Sequence, residues 1–474
     1  MRIIEFSCVF CGNVMRDEGC YFFEEKRVRI AVIGGGYVGL VSAACFAAFG
    51  RHVVVVETNA ERLALLQKGG VPIYEPGLEA LLSDQIQAGR LIFVDDLAFA
   101  VQGAEAVFIA VGTPPRKGDG AADMYDVHKV ARQIAQALTN YTVIVTKSTV
   151  PVGSSRRIAE IICQARPDLE FDVASNPEFL REGRAIEDFM HPERVIIGLD
   201  TKKKTYPTRA EKVMRRVYAS LDHSSSYASF GALIFTSLET AELMKYASNS
   251  FLAIKISFIN EMADLCERLG ANVQDLALGM GLDSRIGSQF LEPGPGYGGS
   301  CLPKDTLALS RIAQENHIVC RLVEAAVHVN EGRKASMAGR IITACGGVNG
   351  KVIAILGLTF KPGTDDMRES PAIPILHRLA EAGAVLQAYD PEGMKTAKSL
   401  LPEDIRYCEE VDTAIHGADA LVIITDWDIF RTLSPQHLAQ EMRGKIIMDL
   451  RNIFDASTMC QAGFDYHSIG RPLS

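Results

Sequence analysis

The stretch Val28-Arg29-Ile30-Ala31-Val32-Ile33-Gly34-Gly35-Gly36-Tyr37-Val38-Gly39 decides the fold. Residues 28–33 are apolar except for Arg29 and read as a buried strand, and residues 40–49 read as a helix. Between them Gly34, Gly36 and Gly39 fit G-x-G-x-x-G in the setting that gives the motif meaning, a strand-to-helix turn. The first glycine permits the turn, the second lets a pyrophosphate approach the backbone, and the third lets helix pack on strand. The phosphates then meet the amides of the helix N-terminus. The next strand, 52–56, ends at Glu57, roughly twenty residues on. An acidic side chain there accepts a ribose 2′-hydroxyl and repels a 2′-phosphate, so the cofactor expected is NAD rather than NADP.

Further strands are expected at 91–94, 106–111, 142–146, 171–174 and 195–198, with helical segments between most of them. This alternation reads as a parallel doubly wound sheet, whose ligands lie beyond the carboxyl ends of the strands. Three of those ends are chemically loaded: Val111-Gly112-Thr113-Pro114-Pro115, Lys147-Ser148-Thr149-Val150-Pro151-Val152-Gly153, and Ser175-Asn176-Pro177-Glu178-Phe179-Leu180-Arg181-Glu182-Gly183. Thr149, Glu178 and Glu182 are expected in one cleft. The two glutamates, four apart, share a face if their segment is helical.

Residues 236–269 contain neither Gly nor Pro. Thr236-Ser237-Leu238-Glu239 fits a capping box and Gly270 a stop. Such a helix would be roughly 50 Å long, a spine between two domains and a candidate dimer interface. Lys245 and Asn249 share one of its faces with Asn260, and a lysine beside an amide can stabilise an oxyanion. Downstream lies Gly294-Pro295-Gly296-Tyr297-Gly298-Gly299-Ser300-Cys301-Leu302-Pro303-Lys304-Asp305, a loop that presents one thiol beside a cation and a carboxylate. Its glycines read as room for a ligand against the backbone. Helical patterns resume over 305–342. A second open sheet follows, with strands at 351–358, 385–389, 420–425 and 446–449 and no G-x-G-x-x-G. Its first loop carries Lys361 and Arg368, cations suited to phosphates.

The 474 residues exceed one core. The divisions read are an extension at 1–27, a dinucleotide domain at 28–223, a helical domain at 224–345 and a second α/β domain at 346–474. A net charge of −9 argues against nucleic acid as the main partner. No apolar run reaches the roughly 20 residues of a membrane span, and the N-terminus has no signal-peptide core. Eleven scattered cysteines, among them Cys45, Cys163, Cys266 and Cys320 in apolar context, suit a reducing cytoplasm. Cys8 and Cys11 form a C-x-x-C, with Cys20 further on and no fourth metal ligand nearby. The first segment therefore reads as an extension, with a metal or redox site and a mis-set start as the other readings. Lys202, Lys203 and Lys204 read as a solvated loop.

Taken in order, GGGYVG, TPP, KSTVPVG, NPEFLREG, ELMKYASNSFLAIKISFINE, GPGYGGSCLPKD and GLTFKPGTDDMRESPA resemble the UDP-glucose 6-dehydrogenase family of nucleotide-sugar dehydrogenases, over about residues 28 to 460. The resemblance implies two Rossmann-like doubly wound domains joined by a long central helix in an all-α domain. It implies a four-electron oxidation of the sugar's C6 hydroxymethyl to a carboxylate with two NAD⁺. Cys301 would be the nucleophile, holding the aldehyde as a thiohemiacetal and then a thioester. Lys245 and Asn249 would steady the oxyanion, Asp305 would order water or a base, and Thr149, Glu178 and Glu182 would position water. Around the cofactor it implies Gly34, Gly36, Tyr37, Val38, Gly39, Glu57, Arg62, Thr113, Thr149, Glu182, Lys304 and Arg368. Around UDP-glucose it implies Glu178, Phe179, Leu180, Lys245, Asn249, Arg285, Phe290, Tyr297, Gly298 and Lys361, with Arg285 reaching substrate across a dimer in some members. No metal is implied. GDP-mannose and UDP-N-acetyl-hexosamine dehydrogenases share most of this chemistry and are the alternative within the family.

Overall fold

The computed structural model describes residues 28–116, 118, 120–201, 207–221 and 233–472. Cys8, Cys11, Cys20, the lysines at 202–204 and the division expected after residue 223 lie outside the described residues.

The first sheet holds β1 (Arg29–Ile33), β2 (His52–Val56), β3 (Leu91–Val94), β4 (Ala106–Ile109), β5 (Thr142–Thr146), β6 (Phe171–Ser175), β7 (Val195–Leu199) and β8 (Leu233–Ser237). Their order is β3-β2-β1-β4-β5-β6-β7-β8. Strands β4, β5 and β7 are buried along their whole length, as strands covered on both faces must be. From β3 to β6 all pairings are parallel, but β7 lies antiparallel on β6, and β8 runs parallel to β7. The expected sheet had no reversal and no β8. The helix between β6 and β7, Ala185–Met190, has six residues, too short to carry the chain back along the sheet for a parallel return.

The second sheet holds β9 (Val352–Leu356), β10 (Val385–Tyr389), β11 (Arg406–Tyr407), β12 (Ala420–Ile423), β13 (Ile446–Asp449) and β14 (Asp465–Ser468). Every pairing is parallel, in the order β11-β10-β9-β12-β13-β14. This repeats the pattern β3-β2-β1-β4-β5-β6, so each α/β domain has a crevice where the strand order reverses, between β1 and β4 and between β9 and β12. Apolar clusters cover both faces of both sheets.

Between the sheets runs the spine helix Leu238–Leu269, 32 residues or about 48 Å. Gly270 ends it at φ +72°, a left-handed turn that glycine adopts at little cost. Its cap is Ser237, which accepts from the Thr240 amide at 3.1 Å. The cap thus lies one residue beyond Thr236, the expected one. The spine packs against two further helices, Leu302–Glu315 and Arg321–Ala344. Its buried face carries Glu242, Lys245, Asn249, Ser250, Ser257 and Asn260 among apolar residues such as Tyr246 and Ile259. Its exposed positions include the large apolar residues Leu243, Phe251, Phe258, Leu265 and Leu269 beside Glu261, Asp264 and Arg268. The spine thus carries polar side chains on its buried side and several large apolar ones on its exposed side.

Candidate active site

The crevice between β1 and β4 is built for a dinucleotide. Gly34 sits at φ +113°, and a Cβ there would lie 2.7 Å from the Ala110 carbonyl. A Cβ on Gly39 would run into the Gly34 carbonyl, so only glycine lets helix Tyr37–Ala48 sit this close to β1. At Gly36 a Cβ would meet nothing within 4 Å; the space is open to a ligand. That helix has no side-chain cap, which leaves its first amides for an anion. Val38 lies half-buried in its first turn. Glu57 ends β2 with its carboxylate accepting from the Asn59 amide at 2.8 Å and 3.7 Å from Arg62. Arg62 in turn donates to the Gly35 carbonyl at 2.7 Å. Thr113 joins the next two strand ends, its hydroxyl donating to the Thr149 carbonyl at 2.8 Å. These features fit NAD as the sequence predicts.

A cavity of about 470 Å³ opens between the first sheet, the spine and the loop that leaves β9. Cys301 stands in its wall, half-buried, at the N-terminus of helix Leu302–Glu315. Opposite it, the Lys245 ammonium bonds the Glu178 carboxylate at 3.0 Å, both side chains nearly sealed from water. Burial pushes the Glu178 carboxyl up, but Lys245, the Leu180 amide and Lys147 overcome it and hold its pKa below the usual range. Burial pushes Lys245 down, and Glu178, Cys301 and Asp305 more than reverse that. One turn along the spine, Asn249 donates to Asp305 at 2.6 Å, and Lys304 pairs with the other oxygen of the same carboxylate. Burial pushes the Cys301 thiol up; Lys245 opposes, while Glu178 and Asp305 add to the rise. The neutral thiol is thereby favoured over the thiolate. Phe179 lies under both Arg194 and Lys245, at 4.5 and 5.3 Å from its ring centre. It lines the cavity with Leu180 and Phe290. Phe290 holds φ +64°, a strained conformation of the kind found beside ligands.

Glu178 and Glu182 do not share a helix face. Residues 176–184 form an irregular loop in which Glu178 accepts from its own Leu180 amide at 2.7 Å, a turn that competes with helix. The carboxylates therefore part. Glu178 faces Lys245, and Glu182 faces the second domain, accepting from Ser300 Oγ at 2.9 Å and Thr364 Oγ1 at 3.3 Å. Arg368, paired with Asp366, stands 3.6 Å from Glu182, and Lys361 donates to the Glu182 carbonyl at 2.5 Å. Burial lowers the Lys361 pKa against the pull of Glu182. The two α/β domains thus meet at this loop and the adjoining Gly183, where an added Cβ would lie 2.5 Å from the Gly363 carbonyl.

The glycines around Cys301 have a different cause from the one expected. A Cβ on Gly294 would lie 2.8 Å from the Arg451 guanidinium, and on Gly296 2.8 Å from Lys334. On Gly298 it would strike the Glu369 carbonyl, and on Gly299 it would lie 2.7 Å from the Phe360 ring. These glycines let protein pack against the loop. Only Gly298 and Gly299 of the four also line the cavity.

Residues 28–222 match the NAD binding domain of the UDP-glucose/GDP-mannose dehydrogenase family, 239–332 its central domain and 354–456 its UDP binding domain. The chain belongs to the UDP-glucose/GDP-mannose dehydrogenase family. It is 52% identical over 446 residues to a UDP-glucose 6-dehydrogenase of Rhizobium meliloti (strain 1021), covering 94% of this chain and 100% of that one. It is 43% identical to the UDP-glucose 6-dehydrogenase TuaD of Bacillus subtilis (strain 168), covering 94% and 93%. The solved structure of a UDP-glucose dehydrogenase from the archaeon Pyrobaculum islandicum is 36% identical, with a TM-score of 0.84 over 96% of this chain and 99% of that one.

As a member of this family the chain uses NAD, and its residues fall into three groups. Cys301, Lys245, Asn249, Glu178, Glu182, Phe179, Leu180, Phe290, Gly298 and Lys361 line one cavity, with Asp305 and Lys304 bonded to its wall. Thr149 lies beside Thr113 at the cofactor crevice, outside that cavity lining. Two others stand away from it. Tyr297 is buried behind the loop, its amide and carbonyl both bonded by Asn330, at 2.8 and 3.1 Å. Arg285 is 87% exposed and paired with Asp283. Asn260 bonds the Gly294 amide at 2.9 Å, so it supports the base of the loop, not the oxyanion pair. Tyr37 donates to buried Glu75, which also accepts from the amides of Gly183 and Ala185 at 2.7 and 2.8 Å. Sequence reasoning missed Glu75, Ser300 and Lys147. Lys147 directly follows β5, fully buried in the cavity floor, 3.2 Å from Asn176 Oδ1. Burial pushes its pKa down to about 8, with Glu178 opposing and Lys245 assisting. Its position at a strand end was the available signal.

Proposed function

We propose that this chain oxidises C6 of UDP-glucose to the carboxylate, giving UDP-glucuronate, through covalent capture on Cys301. The observation that carries the reading is one cavity holding a thiol, a buried lysine–carboxylate pair and an amide–carboxylate pair between the NAD crevice and the second sheet. NAD⁺, when bound, accepts a hydride in each of two oxidations. Between them the aldehyde must be kept from water, and addition of the Cys301 thiol to it as a thiohemiacetal does this. The Lys245 ammonium and Asn249 amide face the carbonyl oxygen and stabilise the charge it gains. Asp305, fixed by Asn249 and Lys304, orders a water for thioester hydrolysis, with Thr149, Glu178 and Glu182 as further positioning groups. Lys361 takes the phosphates of the nucleotide, with Phe290 and Gly298 shaping its seat and Tyr297 supporting the loop from behind, and Arg368 serves the cofactor.

The chain works as at least a dimer in the cytoplasm. Phe251 and Leu269 on the spine, and Leu278 and Leu282 beyond it, are 63–79% exposed, an apolar face that a second copy covers. Arg285 is exposed and would reach the partner's site by leaving its pair with Asp283. Among the described residues no two cysteines are joined in a disulfide, and no helix is long and apolar enough to cross a membrane.

The reading is tested by NADH release over a panel of UDP-glucose, GDP-mannose and UDP-N-acetyl-hexosamines. UDP-glucose is expected to turn over at least tenfold faster in kcat/KM than the others. Preferential turnover of GDP-mannose or an N-acetyl sugar would overturn the substrate assignment and leave the chemistry.

A further inference from the structure

Cys301 is a thiol pushed up by burial, yet it must bond carbon as a thiolate, so its proton needs a destination. The contacts around the sulfur supply one. Ser300 Oγ lies 3.5 Å from Cys301 Sγ and donates to Glu182 Oε1 at 2.9 Å. A hydroxyl that spends its proton on a carboxylate keeps its lone pairs for another donor, and the thiol is the neighbour within reach. The three groups form a chain: Sγ–H to Ser300 oxygen, Ser300 O–H to the Glu182 carboxylate. Glu182 is itself anchored by Thr364 Oγ1 at 3.3 Å, from the second α/β domain.

We infer that Ser300 is a proton relay between Cys301 and Glu182, and that Glu182 takes the thiol proton when the sulfur adds to the aldehyde. This rests on the reading of Cys301 as the nucleophile. In the step, the Sγ–C6 bond forms as the C6=O π bond opens. The thiol proton passes to Ser300, the Ser300 proton to Glu182, and the carbonyl oxygen takes a proton from the Lys245 ammonium. No electron leaves or enters. Burial and the neighbouring Asp366 both raise the Glu182 pKa, against Ser300, Arg368 and Lys361, which makes this carboxylate a readier proton acceptor than an exposed one. The charged groups facing the sulfur are Lys245 from the spine, Glu178 from the loop after β6, Asp305 from its own helix, and Lys361 and Arg368 from the loop after β9.

The test reads the thiol without any sugar. The full chain is alkylated with iodoacetamide from pH 5 to 9, and modification of the Cys301 peptide is followed by mass spectrometry. Transfer inside the chain changes no net proton count. The parent is therefore expected to keep a pH-independent plateau of alkylation below neutral pH, falling only where Glu182 protonates. Ser300→Ala and Glu182→Gln should each abolish the plateau, leaving a rate that drops tenfold per pH unit, and should lower the rate at pH 6.5 at least tenfold. The double variant should be no slower than either single one, since both cut the same chain. Ser300→Thr, which restores a hydroxyl, should recover the plateau within about threefold. A plateau that survives Ser300→Ala, or additive losses in the double variant, would overturn the relay. A plateau as described in a chain that releases no NADH from any nucleotide-sugar would uphold the relay and sink the proposed function.

Discussion

Replacing Lys245 by Met strips the nearest cation from a carboxylate with almost no access to water. The Glu178 and Lys245 side chains are 6% and 4% exposed and 3.0 Å apart. Breaking a buried pair by removing one partner costs about 3–5 kcal/mol, because the remaining charge is left uncompensated. Here the Leu180 amide and Lys147 remain, which places the cost near the lower end, about 3 kcal/mol, or on the order of 5–10 °C in melting temperature. Lys245→Met/Glu178→Gln removes both charges at similar volume and should stay within about 1 kcal/mol of the parent. The pH dependence has a defined sign. The Glu178 pKa is depressed in the folded chain. Its stabilisation is therefore present above the unfolded carboxylate value of about 4.3 and lost as pH falls through the lower folded value. The Lys245 pKa is raised, so its share is present below the unfolded lysine value of about 10.4 and lost as pH rises through the folded one. Without Lys245, burial dominates Glu178 and lifts its pKa above the unfolded value. The deficit of the single variant should then be largest near pH 8 and shrink toward pH 5. Thermal unfolding followed by circular dichroism at both pH values reads this directly. A double variant as unstable as the single one, or a deficit that does not shrink in acid, would refute charge balance as what holds the site.

Two glycine substitutions separate ligand room from protein packing. Gly36 has φ −79° and open space where a Cβ would go. Gly36→Ala should therefore leave the melting temperature within about 1 °C while weakening NAD⁺ binding at least tenfold, measured by calorimetry. Gly298→Ala puts a Cβ into the Glu369 carbonyl. Forced shifts of this kind cost about 1–3 kcal/mol, so melting temperature and kcat should both fall while the NAD⁺ affinity of the first domain stays within about twofold.

The first crevice was legible because local geometry fixes it: Gly34, Gly36 and Gly39 each do in three dimensions what their spacing predicts, and Glu57 ends β2 as expected. The Lys245–Asn249 face was legible from helical period. Four features were not. The reversal at β7 depends on how short the Ala185–Met190 helix is, and nothing in strand-like sequence states direction. The glycines around Cys301 answer to Phe360, Glu369, Arg451 and Lys334, residues far away in the chain, so their cause is invisible to a local reading. Glu178 and Glu182 invite a helical pairing by spacing alone, but the Glu178 turn onto Leu180 sends one carboxylate to the spine and the other to the second domain. Ser300 passed unnoticed because a serine beside a cysteine has no pattern until Glu182 is placed against it.

The central claim is that one cavity carries out two successive oxidations on a carbon held by Cys301. The direct measurement is the number of NADH formed per UDP-glucose consumed, with UDP-glucose limiting and NAD⁺ in excess. Two NADH per sugar, with UDP-glucuronate as the only sugar product and no second oxidation in Cys301→Ser, is the predicted result. One NADH per sugar, or an unchanged ratio of two in Cys301→Ser, would contradict it.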